Sequence, residues 1–203
     1  GEFNFSRLNN KAAKEAKGEL LLFLNNDIEV IDQDWLSEMV SLAVRPDTGA
    51  VGAKLLYPDG RIQHAGVILG IGGVAGHSHK FFNGSDPGYF NRNILRHSVS
   101  AVTAACLLVR TEIFRATGGF DEVNLAVAFN DVDLCLKVQE LGYRNIYTPY
   151  ARLIHHESVS RGYEDSPEKI SRFNKEISYM QQKWDLENDP FYNPNLSNVT
   201  EDF

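Results

Sequence analysis

Three short polar segments carry side chains that could hold a cation and move a proton. In the first, Asn25-Asn26-Asp27 follows five consecutive apolar residues, Leu20–Leu24. A carboxylate is a hard oxygen ligand, and Mg²⁺-like ions are typically held by one or two carboxylates together with substrate phosphates. Asp27 is therefore a candidate ligand of a divalent ion. The alternative is that the three residues only form a turn.

The second segment contains Asp131 and Asp133, and its helical spacing separates the two carboxylates. In a helix that begins near Asn130, Asp131 shares a face with the apolar residues three, four and seven positions later. Asp133 then falls on the opposite, solvated face. A carboxylate that points inward at the mouth of a core is a candidate general base. The alternative is that Asp131 or Asn130 only caps the helix.

The third segment is His155-His156, which follows a short predicted strand at 152–154. A histidine beside a carboxylate shifts the preference of a metal site from Mg²⁺ toward softer divalent ions, with Mn²⁺ as the compromise. Either His155 or His156 could be this ligand.

Small residues occupy the middle of a predicted strand at 99–110. They either allow tight core packing or let a ligand lie against this strand. In the second case Thr103 and Ala104 would contact the ligand, and Asn25 and Asn26 are predicted contacts of the same ligand.

The stretch 70–96 is rich in glycine and is the least regular part of the chain. His64, His77 and His79 raise the alternative of a structural zinc site, but the His-x-His spacing is not specific and no cysteine or carboxylate accompanies it. Long irregular connections in compact domains are usually functional loops or disordered segments. We favour a mobile lid over a substrate.

The elements that must position these segments alternate between helices and strands, which indicates an α/β fold. The unbroken apolar run Leu20–Leu24 is typical of a strand covered on both faces, as in a parallel sheet. Ligands in open α/β sheets lie just beyond the carboxyl ends of such strands. The periodicity predicts helices at 6–17, 35–43 and 111–117, further helices that begin near 130 and at 166, and a hairpin of strands at 50–57 and 62–69.

The composition is that of an ordinary soluble globular protein, with 203 residues, 43% hydrophobic and 23% charged. A net charge of -7 argues against nucleic acid as a general partner and against a basic membrane-binding face. Cys106 and Cys135 lie in apolar sequence surroundings, which predicts reduced core residues of a cytoplasmic protein. No apolar run approaches the length of a transmembrane segment.

Taken in order, these segments resemble the family 2 glycosyltransferases of the GT-A fold, in particular bacterial rhamnosyltransferase-like and O-antigen or cell-wall polysaccharide enzymes. Leu-Asn-Asn-Asp at 24–27 resembles the metal-binding Asp-x-Asp element of the family. Gly-Gly-Phe-Asp-Glu at 118–122, followed by Asn-Asp-Val-Asp-Leu-Cys-Leu at 130–136, resembles the acceptor-side segment and the Glu-Asp catalytic motif. Ile-His-His at 154–156, followed by Ser160, resembles the late histidine segment of the family. Asp-Pro-Phe-Tyr-Asn-Pro-Asn at 189–195 resembles a frequent ending of this subgroup.

The resemblance implies a GT-A-like, mixed and mostly parallel sheet flanked by helices. It implies an inverting, metal-dependent transfer of a sugar from a nucleotide-diphosphate donor to a saccharide or glycan acceptor, in cell-surface polysaccharide biosynthesis. Asp27, helped by Asn26, would bind the Mn²⁺ or Mg²⁺ ion, and His155 would complete the metal site. Asp131 would deprotonate the acceptor hydroxyl for in-line attack.

The sequence departs from the family pattern at two motif positions and at its beginning. Asn25 stands where the family has the first carboxylate of Asp-x-Asp, and Asn130 stands where it has the glutamate of Glu-Asp. The opening strand–helix repeats that hold the nucleotide base are missing, so the sequence resembles an N-terminally truncated enzyme. We predict a glycosyltransferase domain over 4–165, a C-terminal helix and surface tail over 166–203 packed on the same domain, and an exposed sheet edge that invites self-association.

Two other functions stay open at this point. A sugar nucleotidyltransferase would need a glycine-rich phosphate loop near the start of the chain, and none is visible. A non-catalytic carbohydrate-binding or scaffold module would use Asp131 only as a helix cap.

Overall fold

The computed structural model describes residues 3–156 and 166–201, and its centre is a seven-stranded sheet with a separate two-stranded sheet beside it. The strands are β1 (Leu20–Leu24), β2 (Ile28–Val30), β3 (Thr48–Leu56), β4 (Ile62–His64), β5 (Val67–Leu69), β6 (Ala75–His77), β7 (His97–Val99), β8 (Cys106–Arg110) and β9 (Arg144–His155). The large sheet has the order β1-β8-β3-β9-β2, with β4 beside β3 and β7 beside β9, and β5 pairs with β6.

The described residues contain five helices. They are α1 (Phe5–Glu15), α2 (Trp35–Ala43), α3 (Thr111–Ala116), α4 (Asn130–Glu140) and α5 (Pro167–Lys183), and two short 3₁₀ turns lie at Ile71–Gly73 and Tyr89–Asn91. The first helix is capped by Asn4, whose side chain accepts a hydrogen bond from Arg7 N, and not by Ser6. Ser166 and Pro167 begin α5 as their residue types predict.

The apolar run of β1 feeds two cores because successive side chains of a strand point to opposite faces. Leu21 and Phe23 pack in the larger core with α1, α3 and α4, whereas Leu20 and Leu22 pack against α2. The ring of Phe23 lies 5.1 Å from that of Phe114. Both faces of β1 are therefore covered, as the unbroken run predicts.

The sheet is mixed, as predicted, but it is not mostly parallel. Within the described residues only β3 and β9 run parallel, and β1 pairs antiparallel with β8 from Leu20↔Arg110 to Leu24↔Cys106. Helices on both faces produce the same unbroken apolar pattern whether a strand's neighbours run parallel or antiparallel. Strand direction was therefore not encoded in that run.

The predicted strand at 99–110 is interrupted where the chain leaves one neighbour for another. β7 pairs with β9, β8 pairs with β1 and β3, and the intervening residues form a turn closed by a bond from Cys106 N to Thr103 O. Ala101 and Val102 are fully buried, so core packing accounts for their apolar character. The predicted hairpin strand at 62–69 is likewise split, into β4 and β5.

The residues after α5 lie against the domain. Asp189 accepts a hydrogen bond from Leu69 N at 2.8 Å, and the carbonyl of Glu201 accepts one from His79 N at 2.9 Å. The predicted boundary between 4–165 and 166–203 stays a prediction, as does self-association through the edge at β1. None of the helices in the described residues combines the length and hydrophobicity that crossing a bilayer requires.

Candidate active site

The predicted site residues come from four separate segments, and all of them line one open cleft of about 670 Å³ beyond the end of β1. They are Asn25, Asn26, Asp27, Thr103, Ala104, Asp131 and His155. The sheet brings them together because β1 ends beside the turn that starts β8, and α4 begins under that turn.

Backbone hydrogen bonds fix the polar segment after β1 in the cleft. Asn25 N donates to Ala105 O at 3.0 Å, and His156 N donates to Asp27 O at 3.0 Å. Asn25-Asn26-Asp27 therefore bridges the start of β8 and the end of β9. This position accounts for how Asp27 and His155, far apart in sequence, come into contact.

Asp27 and His155 form a pair that fits a divalent cation. Asp27 Oδ1 lies 3.2 Å from His155 Nε2, and this oxygen is buried and accepts no hydrogen bond within the described residues. His155 Nδ1 lies 2.7 Å from Gln63 Oε1, which only accepts, so Nδ1 carries the proton in this contact. In neutral His155, Nε2 is then the basic nitrogen, and Asn25 Nδ2 lies 3.1 Å from it. A histidine held through its other nitrogen beside a carboxylate is a typical ligand arrangement.

The structure separates the two adjacent histidines. His155 is buried in the cleft, whereas His156 lies nearer the surface, with its Nε2 3.0 Å from Glu29 Oε2. Ser160, the other residue of the late histidine segment, lies outside the described residues.

Asp131 is held by the turn that contains Thr103 and Ala104. Ala104 N donates to Asp131 Oδ2 at 3.0 Å, and Val132 N donates to Oδ1 at 2.9 Å. Burial raises the pKa of Asp131 above the ordinary aspartate value, against the lowering effect of these two bonds and of the Thr103 side chain. A carboxylate with a raised pKa at the edge of a cleft is suited to accept a proton. The residues predicted as ligand contacts thus also orient this carboxylate.

Phe129, and not Asp131 or Asn130, occupies the N-cap position of α4. Its backbone is left-handed, with φ 57°, and its ring stacks on Phe173 of α5 at 5.4 Å. A bulky residue in this region is strained and persists only where its surroundings hold it. Asp131 lies inside the first turn and bonds to Val132 N, so it contributes to the helix start without being its cap.

The sequence matches a known family over more than half of its length. The family model described as glycosyl transferase family 2 matches residues 2–118. The chain belongs to this glycosyltransferase family. The prediction of this family from the order of the sequence motifs is confirmed.

Relatives of this glycosyltransferase domain are longer proteins. It is 58% identical over 203 residues to an uncharacterized protein of Sinorhizobium fredii, and 46% identical over 198 residues to the O-antigen biosynthesis protein RfbC of Myxococcus xanthus. These matches cover 99% and 96% of the chain but 22% and 15% of the relatives. Over 64 residues it is 38% identical to an N-acetylglucosaminyl-diphospho-decaprenol L-rhamnosyltransferase of Mycobacterium tuberculosis, covering 32% of the chain and 20% of that relative. The chain therefore spans less than a quarter of the length of these relatives.

Solved structures support the GT-A fold. A mannosyltransferase of Pyrobaculum calidifontis, solved with GDP-Man and Mn²⁺, aligns over 92% of the chain and 45% of its own length, with a TM-score of 0.57 and 16% identity. GalNAc-T7, solved with UDP, GalNAc and Mn²⁺, aligns over 86% of the chain and 34% of its own length, with a TM-score of 0.58 and 13% identity. At such identities the likeness concerns the fold alone.

Asp133 is not solvated, in contrast to the prediction from helical spacing. It is 0% exposed, and its Oδ1 accepts from Lys183 Nζ at 2.6 Å and from Trp184 Nε1 at 3.0 Å. Lys137 Nζ lies 3.0 Å from Oδ2. The prediction is wrong because α5 and the residue after it cover this face of α4.

Glu176 of α5 also holds the segment that leads into α4. It is 2% exposed and accepts hydrogen bonds from Val127 N at 2.9 Å and Ala128 N at 3.2 Å. Glu176, the Phe129–Phe173 stack and the contacts of Asp133 together hold the residues before and after Asp131 in place. We name Phe173, Glu176, Lys183 and Trp184 the α5 clamp. The sequence predicts only that a C-terminal helix packs on the domain, and no local pattern indicates these contacts.

The histidines of the irregular stretch do not form a zinc site in the described residues. No three His, Cys, Asp or Glu groups meet there as a possible metal site. His64 Nδ1 lies 2.9 Å from His77 Nδ1, and His79 Nε2 accepts from Tyr89 N at 3.1 Å. Burial lowers the pKa of His77 and His79 to about 4, so both are neutral at pH 7. The lid at 70–96 stays a prediction.

Proposed function

We propose that this domain is an inverting, metal-dependent glycosyltransferase that moves a sugar from a nucleotide-diphosphate donor to a saccharide or glycan acceptor. The observation that carries the proposal is the shared cleft, in which the Asp27–His155 pair and the Asp131 carboxylate meet. A cation site and a base in one cleft are what attack of a hydroxyl on a nucleotide sugar requires.

In this proposal Asp131 accepts the proton of the acceptor hydroxyl. The hydroxyl oxygen forms a bond to the anomeric carbon of the donor sugar while the bond from that carbon to the diphosphate breaks, and the nucleoside diphosphate leaves. Attack from the face opposite the leaving group inverts the anomeric configuration. The raised pKa of Asp131 makes it a stronger base than an ordinary aspartate, and the Ala104 and Val132 amides keep its oxygens in place.

Asp27 and His155 would hold the metal, Mn²⁺ or Mg²⁺, and His155 favours Mn²⁺. When bound, the ion supplies positive charge that stabilises the leaving diphosphate. Within the described residues the buried Oδ1 of Asp27 accepts no hydrogen bond and lies beside Nε2 of His155, which supports this assignment. Two protein ligands are few for such an ion, so donor phosphates must complete its coordination. Asn25 and Asn26 would contact the donor on the same side of the cleft, and Thr103 and Ala104 would contact it beside Asp131.

The biological setting is part of the proposal. The similarity to an O-antigen biosynthesis protein supports a role in cell-surface polysaccharide biosynthesis. Cys106 and Cys135 are free and buried, which agrees with the proposed cytoplasmic location.

The first test is a calorimetric screen of nucleotide diphosphates and nucleotide sugars, with and without Mn²⁺. We expect Mn²⁺ to bind only when a nucleotide diphosphate is present, and Asp27→Ala and His155→Gln to abolish that coupled binding. His156→Gln is the matched control, and it should bind as the wild type does. Tight Mn²⁺ binding to the protein alone that survives in Asp27→Ala would contradict the metal assignment.

A transfer assay with the donor found in the screen separates the competing functions. A glycosyltransferase releases nucleoside diphosphate in proportion to glycoside formed. A nucleotidyltransferase would instead join a nucleoside triphosphate and a sugar phosphate with release of pyrophosphate. Saccharide binding with neither reaction, unchanged in Asp131→Asn, would indicate a non-catalytic module.

A further inference from the structure

One wall of the cleft is aromatic and cationic, and its residues have no part in the reaction described above. Tyr57 and Lys80 both line the cleft. Phe81, which follows Lys80, packs its ring on that of Tyr57. We call Tyr57, Lys80 and Phe81 the aromatic wall.

The two rings form a parallel stack. Their centroids are 5.3 Å apart and their planes differ by 11°. Tyr57 is a lining residue of the cleft and Phe81 is not, so Phe81 supports the ring that the cleft presents. Aromatic rings placed in a polar cleft usually provide the apolar surface of a ligand site, beside a few polar groups that fix orientation.

Backbone hydrogen bonds connect this wall to the strands beside it. Ile62 N donates to Phe82 O at 2.7 Å and Phe81 N donates to Ile62 O at 2.8 Å, which ties the loop after β6 to the β3–β4 hairpin. Phe81 itself has φ 67°, the left-handed region. That conformation is unfavourable for a residue with a side chain. Such strain persists where the surroundings fix it, and it is concentrated at ligand sites.

Lys80 supplies the charge of the wall. Among the described residues that line the cleft it is the one lysine or arginine, whereas Asp27 and Asp131 are carboxylates. Its Nζ lies 5.3 Å from the Phe81 ring centroid and 3.7 Å from Glu201 Oε2, and both Lys80 and Glu201 side chains are 28% exposed. A pair this long and this exposed is weak. An anionic group of a ligand can therefore compete with Glu201 for Lys80.

We propose that the aromatic wall is the acceptor subsite, and that it takes a pyranose bearing a phosphate or carboxylate group. The apolar C–H face of the sugar packs on Tyr57 and the anionic group pairs with Lys80. The inference rests on the proposed function, which gives the donor diphosphate to the Asp27–His155 side of the cleft. Phosphate on a pyranose also occurs in the donor itself, so the experiment must separate acceptor from donor.

The test is an NMR titration of the whole chain with glucose 1-phosphate, glucuronate and methyl glucoside, each with saturating Mn²⁺ and the nucleoside diphosphate that binds best. We expect the two anionic sugars to bind in the presence of the nucleotide. Tyr57→Ala should weaken their binding about tenfold, whereas Tyr57→Phe retains most of it. Lys80→Met should remove the preference for the anionic sugars over methyl glucoside, and Lys80→Arg should keep it. Phe90→Ala, at an aromatic residue that is 81% exposed outside the cleft, is the control.

Three results would overturn the inference. If the nucleotide displaces the sugars, the aromatic wall binds the donor and not the acceptor. If the sugars bind equally well to Tyr57→Ala and Lys80→Met, the aromatic wall is not part of the sugar site. If the wild type binds none of the sugars, the aromatic wall is not an acceptor subsite. If the proposed function itself is wrong, the wild-type protein will not bind the nucleotide. Each variant must keep wild-type nucleotide affinity, which separates a local effect from misfolding.

Discussion

Asp131 and Asp133 lie two residues apart on one helix, yet their surroundings differ completely. Asp131 faces the cleft and is held by the backbone amides of Ala104 and Val132. Asp133 is fully buried among Lys137, Lys183 and Trp184. The first has a carboxylate with a raised pKa beside open space, and the second has a carboxylate whose neighbours are cations and an indole N–H. The same residue type is therefore left at a cleft or buried as an anchor according to what packs over it.

Removing the carboxylate at the cleft should change the transfer rate more than any other substitution considered below. Asp131→Asn should lower the transfer rate about 10²–10⁴-fold, the usual cost of losing a positioned base, while donor affinity stays nearly unchanged. Rates and donor affinity should be measured on one preparation, with the donor identified by the screen. Full activity in Asp131→Asn would remove the distinction between the two aspartates.

Asp133→Asn should mainly reduce stability. The amide can still accept from Trp184 Nε1, but it leaves Lys137 and Lys183 without their anionic partner. Breaking a buried ion pair costs about 3–5 kcal/mol, and because Lys183 is partly exposed we expect roughly 2–3 kcal/mol. Urea unfolding measures this loss.

Glu140→Gln provides the matched control for Asp133→Asn, since Glu140 is an exposed acid at the end of the same helix. It should change the free energy of unfolding by less than about 0.5 kcal/mol. Equal effects of the two variants would mean that Asp133 is solvated after all.

The pH dependence of kcat/KM should report the raised pKa of Asp131. In the proposed mechanism Asp131 acts in its ionised form, so the acid limb should lie above the ordinary aspartate value of about 3.9. Thr103→Val removes a hydrogen bond that stabilises the ionised form and should move this limb further up, by at most about one pH unit. A limb that does not move would exclude Thr103 as a contributor.

The smallest expected effect concerns Glu176 of the α5 clamp. Burial raises its pKa, against the hydrogen bonds from Val127 and Ala128 and the charge of Arg172. A raised folded-state pKa contributes stability below the unfolded value of about 4.3, and this contribution is lost as pH rises through the folded-state value. Glu176→Gln does not titrate, so the wild type should lose stability relative to it between about pH 4 and pH 7, by about 1 kcal/mol or less. Urea unfolding at both pH values checks this, with the exposed Glu187→Gln as the control.

Local sequence patterns were enough to predict the chemical groups of the cleft and the elements that carry them. The apolar run ending at Leu24 predicted a strand covered on both faces with polar groups at its end, because a strand between two layers must be apolar on both sides. The spacing of Asp131 with Leu134 and Cys135 predicted an inward carboxylate, because residues three and four apart share one face of a helix. The order of the motifs predicted the family, and the roles of Asp27, His155 and Asp131 remain predictions.

What covers each face of a helix or strand depends on contacts between residues far apart in the sequence. Asp133 is buried because Lys183 and Trp184 arrive from 50 and 51 residues away, and no local pattern records such a contact. The proton on His155 Nδ1 depends on Gln63, 92 residues earlier, and the direction of β1 depends on its pairing with β8. Periodicity records which side of an element is apolar. Which partner meets that side is set by long-range packing, and that packing makes one aspartate an anchor and leaves the other at the cleft.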